Sequence, residues 1–223
     1  MIVEVIKKMP AIFGYGLALS EERKALLNEL VKVIVSKGSS AIVISGGYTS
    51  HKNNPELSEA AVIFAYLYKN LIDKGYRLVP KFWSDEGFSV RDLEKIKSHC
   101  GDYPQKREGE ALPVIDCYIE DQAKTTRGNV QLIKELLEKH KVWNEYVPVA
   151  YCNKTHQVKI AALALAVWGY IPDFVVSPLS GLGDVKEWLK QSLIYTIPTV
   201  LALKVEFLRK LEDKRREEQM KNN

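Results

Sequence analysis

Four short polar clusters in this chain stand directly after apolar, β-branched runs, and between them they hold most of the side chains able to do chemistry. They are Gly14-Tyr15-Gly16, Ser45-Gly46-Gly47-Tyr48, Glu120-Asp121 and Asn153-Lys154-Thr155-His156. Glycines at such exits let the backbone approach a ligand with no β-carbon in the way, and amides in those turns can cradle an anion. Glu120 and Asp121 offer carboxylates for ligand hydroxyls or a metal-bound water, and Thr126 and Asn129 follow at the start of a helical pattern. His156 and Lys159 are three residues apart, so one helical face carries a group able to move a proton beside a cation able to hold a phosphate or carboxylate. Glu59, early in another helical pattern beyond the second glycine pair, is placed to join them.

Each of these has a plainer structural reading. The glycines serve ordinary tight turns, Thr126 caps its helix, Asp121 and Glu59 are solvated acids, and His156 bonds a neighbouring carbonyl. Gly14-Tyr15-Gly16 lacks the third glycine of a dinucleotide fingerprint, and no P-loop ending occurs. Glu59, Glu120 and His156 are admissible metal ligands, but their separations match no metal-site spacing, so a divalent metal is the less favoured reading.

These groups meet only if the intervening elements bring them together. Apolar runs at 11–13, 41–44, 114–119, 146–151 and 174–176 alternate with helical periodicity, the βαβ rhythm of a parallel sheet. The first helix is predicted from a Ser20 cap through Leu26, Leu30, Val33 and Ile34 to Gly38. The second is predicted from an Asn54 cap and Pro55 through Ala61, Phe64, Tyr68 and Leu71, and the third from a Thr126 cap. A fourth, 158–168, is apolar nearly all round and reads as buried. The stretch 75–113 breaks the rhythm and reads as an insertion packed on the core, with a short helix near 90–96. The pattern implies an α/β fold, a Rossmann-like three-layer α/β/α sandwich of about five mainly parallel strands, inserted segment after the second crossover helix, in one domain over 1–200. An amphipathic C-terminal helix with a charged tail follows over 201–223. In such sheets ligands bind outside the carboxyl ends of the strands, where all four polar clusters lie.

Composition narrows the classes. The 223 residues are 46% hydrophobic and 27% charged, enough for one globular core. The 32 basic and 28 acidic side chains give only +4, and the segment from Lys204 onward, seven basic against five acidic, holds half of that excess. No nucleic-acid partner is expected of the body; only Lys214, Arg215 and Arg216 favour RNA, and Glu217 with Glu218 offset them. Cys100, Cys117 and Cys152 make neither a disulfide framework nor a zinc motif. The first residues, MIVEVIKKMP, do not read as a leader, and the longest apolar run, 160–171, is shorter than the roughly 18 to 20 residues of a membrane span. A cytoplasmic location is expected.

Taken in order, Ile-Ser-Gly-Gly at 44–47, Ser58-Glu59-Ala60, the run from Glu120 through Thr126 to Asn129, and His156-Gln157-Val158-Lys159 resemble the motifs of the YdcF-like family, the SanA/ElyC-type domain of unknown function. The likeness covers about residues 11–195. It implies that Gly46, Gly47, Glu59, Glu120, Thr126, Asn129 and His156 are ligand-site residues, with Lys159 in place of the usual arginine. Lysine keeps the charge and loses the planar fork, so the anion clamp is less directional. Gly128 replaces a frequent glutamate. The resulting expectation is a phosphorylated or nucleotide-like small-molecule ligand, a nucleotide or S-adenosylmethionine type, with transferase or hydrolase chemistry in which His156 and Glu120 act. The ligand-binding set is Gly14, Gly16, Gly46, Gly47, Glu59, Asp121, Thr126, Asn129 and Lys159. The alternative is a non-catalytic sensor, or a module contacting a protein partner or a second copy of the chain, that uses the same crevice.

Overall fold

A computed structural model describes residues 7–14, 19–47, 58–82, 112–177 and 197. They form β1 (Lys7–Phe13), α1 (Glu21–Lys37), β2 (Ala41–Ser45), α2 (Glu59–Ile72), β3 (Arg77–Phe82), β4 (Val114–Glu120), α3 (Thr126–Lys139), β5 (Tyr146–Cys152), α4 (Lys154–Trp168) and β6 (Phe174–Val176). The six strands make one sheet in the order β3-β4-β2-β1-β5-β6, and every neighbouring pair is parallel. This is the Rossmann-like α/β/α sandwich expected of the rhythm.

Strand alternation divides the core into two layers. Ile12, Ile42, Ile44, Ile115 and Ile119 pack against Leu27 and Leu30 of α1 and Phe64 and Leu67 of α2. Met9, Phe13, Val43, Tyr118 and Cys152 face the other way, onto Val130 and Ile133 of α3 and Ile160 and Leu163 of α4. On that second face the Trp168 indole N–H donates to Val130 O at 2.8 Å, joining the two helices. Each central strand is thus buried on both sides, which is why its sequence reads as a continuous apolar run. Pro10 and Pro148 lie inside two of these strands without an orphaned partner. β2 joins β1 only from Ala11 onward, and β6 joins β5 only from Ala150 onward, so the missing N–H falls where one neighbour has not begun.

The sixth strand, β3, lies within the stretch read as an insertion. Arg-Leu-Val-Pro-Lys-Phe is short, carries a proline and sits at the sheet edge, where one side of the ladder needs no N–H donor. Edge position removes the two-sided apolar signal that marked β1, β2, β4 and β5. The short helix near 90–96, the C-terminal helix and tail over 201–223, and Gly16 lie outside the described residues.

Helix starts differ from expectation at two points. α2 begins at Glu59, capped by Ser58, whose Oγ accepts the Ala61 N–H at 3.0 Å; Asn54 and Pro55 lie outside the described residues. In α3 the cap is Thr125, not Thr126: Thr125 has extended backbone and its Oγ1 accepts the Gly128 N–H at 3.0 Å. Thr126 is already helical, so its hydroxyl is not the capping group. Thr125→Ala therefore costs about 1 kcal/mol of stability in urea unfolding, whereas Thr126→Ala costs less than about half of that. The first helix agrees with its reading: Ser20 Oγ accepts from the Arg23 amide, and Gly38 ends it in the left-handed region at φ 68°. α4 is apolar but not enclosed. Ile160, Leu163, Ala164 and Trp168 are buried, while Leu165 is 53% exposed, so its composition overstated its burial.

Candidate functional site

Because all six strands run the same way, the exits of β1, β2, β4 and β5 lie along one margin of the sheet. In the order β4-β2-β1-β5 they are contiguous, and three inter-strand spacings of about 4.8 Å give that margin a width of about 14 Å. The chain leaves β1 and β2 for α1 and α2 on one face, and leaves β4 and β5 for α3 and α4 on the other. Two crevices follow where neighbouring strands send their chain to opposite faces, one between β2 and β4 and one between β1 and β5.

The first crevice is closed by backbone. Gly46 N–H donates to Glu120 O at 2.9 Å, and Gly47 N–H donates to Ala123 O at 2.7 Å. The carbonyls of the same two glycines accept the first amides of α2, Glu59 to Gly47 O at 3.1 Å and Ala60 to Gly46 O at 2.8 Å. These glycines are needed because of contact rather than ligand access. A β-carbon on Gly47 would lie 2.5 Å from Ala123 O and 2.8 Å from Asp121 O, and one on Gly14 or Gly46 would strike the Glu59 side chain. The anion-cradling role expected of the Gly46 and Gly47 amides is therefore not the one they perform here: both are committed to carbonyls.

Glu120 stands at the centre of this closure. Register pairs it with Ser45 across β4 and β2, and alternation turns both toward α3 and α4. It has no exposed surface. Ser45 Oγ donates to Oε2 at 2.5 Å, while the Gln122 and Ala123 amides donate to Oε1 at 2.6 and 2.8 Å. Burial pushes its carboxyl from an ordinary 4.5 up to about 7, against the pull of the hydrogen bonds from Ser45, Gln122 and Ala123, and the charge of Asp121 adds a further upward push. A carboxylic acid there keeps the same pattern with the Ser45 bond reversed, Oε2–H donating to Oγ.

Glu59 is 3% exposed and lies on the other face, in the α1 and α2 layer, against the backbone of Gly14 and Gly46. The glycine turn thus separates the two acids expected to act together. Among the described residues no three His, Cys, Asp or Glu side chains gather as a metal-binding group.

On the second crevice's α4 side, Asn153 precedes the helix, His156 donates its backbone N–H to Asn153 O at 3.0 Å, and Lys159 follows one turn on; both side chains are half-buried. His156 shares the α3 and α4 layer with Glu120, but it enters three strands away. That distance suits a ligand of nucleotide length, not a direct hydrogen bond between the two. Asn129, in the first turn of α3, is 3% exposed, and its Oδ1 has no hydrogen-bond partner among the described residues, a costly arrangement that a ligand donor would relieve. Asp121, just past β4, and Thr126, the first residue of α3, are half-buried.

No family model, curated protein or solved structure matches this chain.

Two groups at this margin escaped the motif reading. Ser45 is fully buried and matters only through its register with Glu120, which no local pattern reveals. Arg23 is 7% exposed in the first turn of α1, just beyond the β1 exit. A cation there opposes the helix dipole and follows two glutamates in sequence, Glu21 and Glu22. That breach of the usual charge pattern was the available signal.

Proposed function

We propose that this chain is a YdcF-like protein that binds a phosphorylated or nucleotide-like small molecule at the carboxyl margin of its sheet and carries out transferase or hydrolase chemistry on it. The observation that carries the reading is the change of face between β1 and β5, with Gly14 at one exit and Asn153 to His156 at the other. Lys159 and Arg23 supply positive charge for an anionic group, Asn129 offers its unpartnered oxygen to a ligand donor, and His156 moves a proton. Glu59 limits how closely the ligand approaches Gly14 and Gly46. The motifs that resemble the YdcF-like family support Asn129, His156 and Lys159 in these roles; Arg23 lies outside them.

Calorimetric titration with a panel of nucleotides, S-adenosylmethionine and inorganic phosphate, with and without magnesium, tests the reading. At least one ligand binds with a Kd of about 100 µM or tighter, Lys159→Ala weakens it about tenfold, and Lys159→Arg restores it. Absence of heat for every ligand under both conditions overturns it.

One observation favours the second reading, a ligand sensor without turnover. Glu120, expected to act on substrate, is sealed from the margin and occupied by three donors. A bound ligand recovered unchanged after long incubation, with His156→Ala altering affinity less than about threefold, selects the sensor.

A further inference from the structure

We infer that Glu120, joined to Ser45, is a positioning residue: its carboxyl group ties the loop after β4 to the glycine turn after β2 and so fixes where α2 and Glu59 stand at the margin. The inference takes from the proposed small-molecule site only its location. The linkage is continuous. Ser45 and the Gln122 and Ala123 amides all donate to one carboxyl group. Ala123 O in turn receives the Gly47 N–H, and Glu120 O receives the Gly46 N–H. The carbonyls of those two glycines then receive the first amides of α2. The carboxyl group and most of its surroundings are dry, since Ser45, Ser58 and Glu120 have no exposed surface and Glu59 has 3%; Gln122 is the exposed member. Loss of the carboxyl group therefore leaves the buried Ser45 and Ala123 donors and the part-buried Gln122 amide without their acceptor, and the loop is released to find water.

The neutral amide of glutamine reproduces every bond, with Nε2 donating to Ser45 Oγ and Oε1 accepting both loop amides. Alanine reproduces none. Ser45→Ala removes one bond and leaves the two loop amides held.

Amide hydrogen exchange by NMR on the full chain at about pH 4.5, where the folded carboxyl group holds its proton and Glu120→Gln imitates it, tests this, reading Gly47, Glu59, Ala60, Gln122 and Ala123. Ala150, whose N–H donates to Asp173 O at 2.8 Å at the far side of β5, serves as reference. In Glu120→Ala the five amides exchange at least about tenfold faster while Ala150 is unchanged; in Ser45→Ala the acceleration is about threefold; in Glu120→Gln all five stay within about threefold of wild type. Unchanged protection of the five amides in Glu120→Ala overturns the inference, as does exchange in Glu120→Gln as fast as in Glu120→Ala. Should Glu120→Ala fail to fold, the Ser45→Ala and Glu120→Gln pair decides alone: acceleration in the first with protection in the second upholds it, and the reverse overturns it. No arm contains a ligand, so failure of the small-molecule reading leaves the result intact.

Discussion

Relative to Glu120→Gln, wild-type protein loses about 3 kcal/mol of folding stability as pH rises from 4.5 to 7. The cause is burial, which holds the Glu120 carboxyl near 7 when folded, against an ordinary 4.5 when the chain is unfolded. Between those two values the folded state keeps a proton that the unfolded state has released. Stability therefore falls with rising pH across that window and levels off above it; below 4.5 both states are protonated and the contribution is fully present. Glutamine at this position imitates the protonated acid at every pH. Above pH 7 Glu120→Gln is accordingly more stable than wild type by about 3 kcal/mol, and the two converge below 4.5. Urea unfolding of both proteins across that range measures the difference directly, and other titrating groups cancel in the comparison. Parallel curves for the two proteins would mean that Glu120 is ionised and solvated.

The second large effect is steric. Gly47→Ala destabilises the fold by about 3 kcal/mol or prevents it, because the added β-carbon meets Ala123 O at 2.5 Å, Asp121 O at 2.8 Å and Gln122 C at 2.9 Å. All three are backbone atoms of the loop held by Glu120, so no side chain can swing aside. Gly128→Ala is the control. Its β-carbon meets Ala123 Cβ and Thr125 Oγ1 at 3.4 Å, near ordinary contact, and the position is helical, so the change is neutral or stabilising by up to about 1 kcal/mol. Chemical denaturation of the two variants separates a contact requirement from a general intolerance of substitution near the margin. Equal stability of Gly47→Ala and wild type would mean that the β2 and β4 exits are not in contact.

Local chemistry accounts for what the residues announced in advance. Ser20 and Gly38 bounded α1 because capping depends on groups a few positions apart, and β1, β2, β4 and β5 were visible because burial on both faces of a central strand leaves a continuous apolar run. The gathering of Gly14, Gly46, Glu120 and His156 at one margin followed from parallel strands, since each exit must then point the same way. Near misses stayed local too: the shift from Thr126 to Thr125 is one residue, a choice made by backbone conformation between two adjacent hydroxyls.

What remained hidden depended on partners distant in the chain. β3 is a strand because β4 offers it an edge, a fact absent from Arg77–Phe82 itself. The roles of Glu59 and Glu120 were decided by sidedness. Helix α2 covers one face and Glu120 points to the other, so two acids that appear equivalent in sequence are divided by the Gly14 and Gly46 backbone. The partnership of Ser45 with Glu120 came from strand register, which sets residues 75 positions apart side by side. Residue type and short-range spacing determined the elements and their polar ends; only the packing of those ends decided which groups face a ligand and which hold the margin together, because burial and hydrogen-bond satisfaction are properties of the assembled sheet.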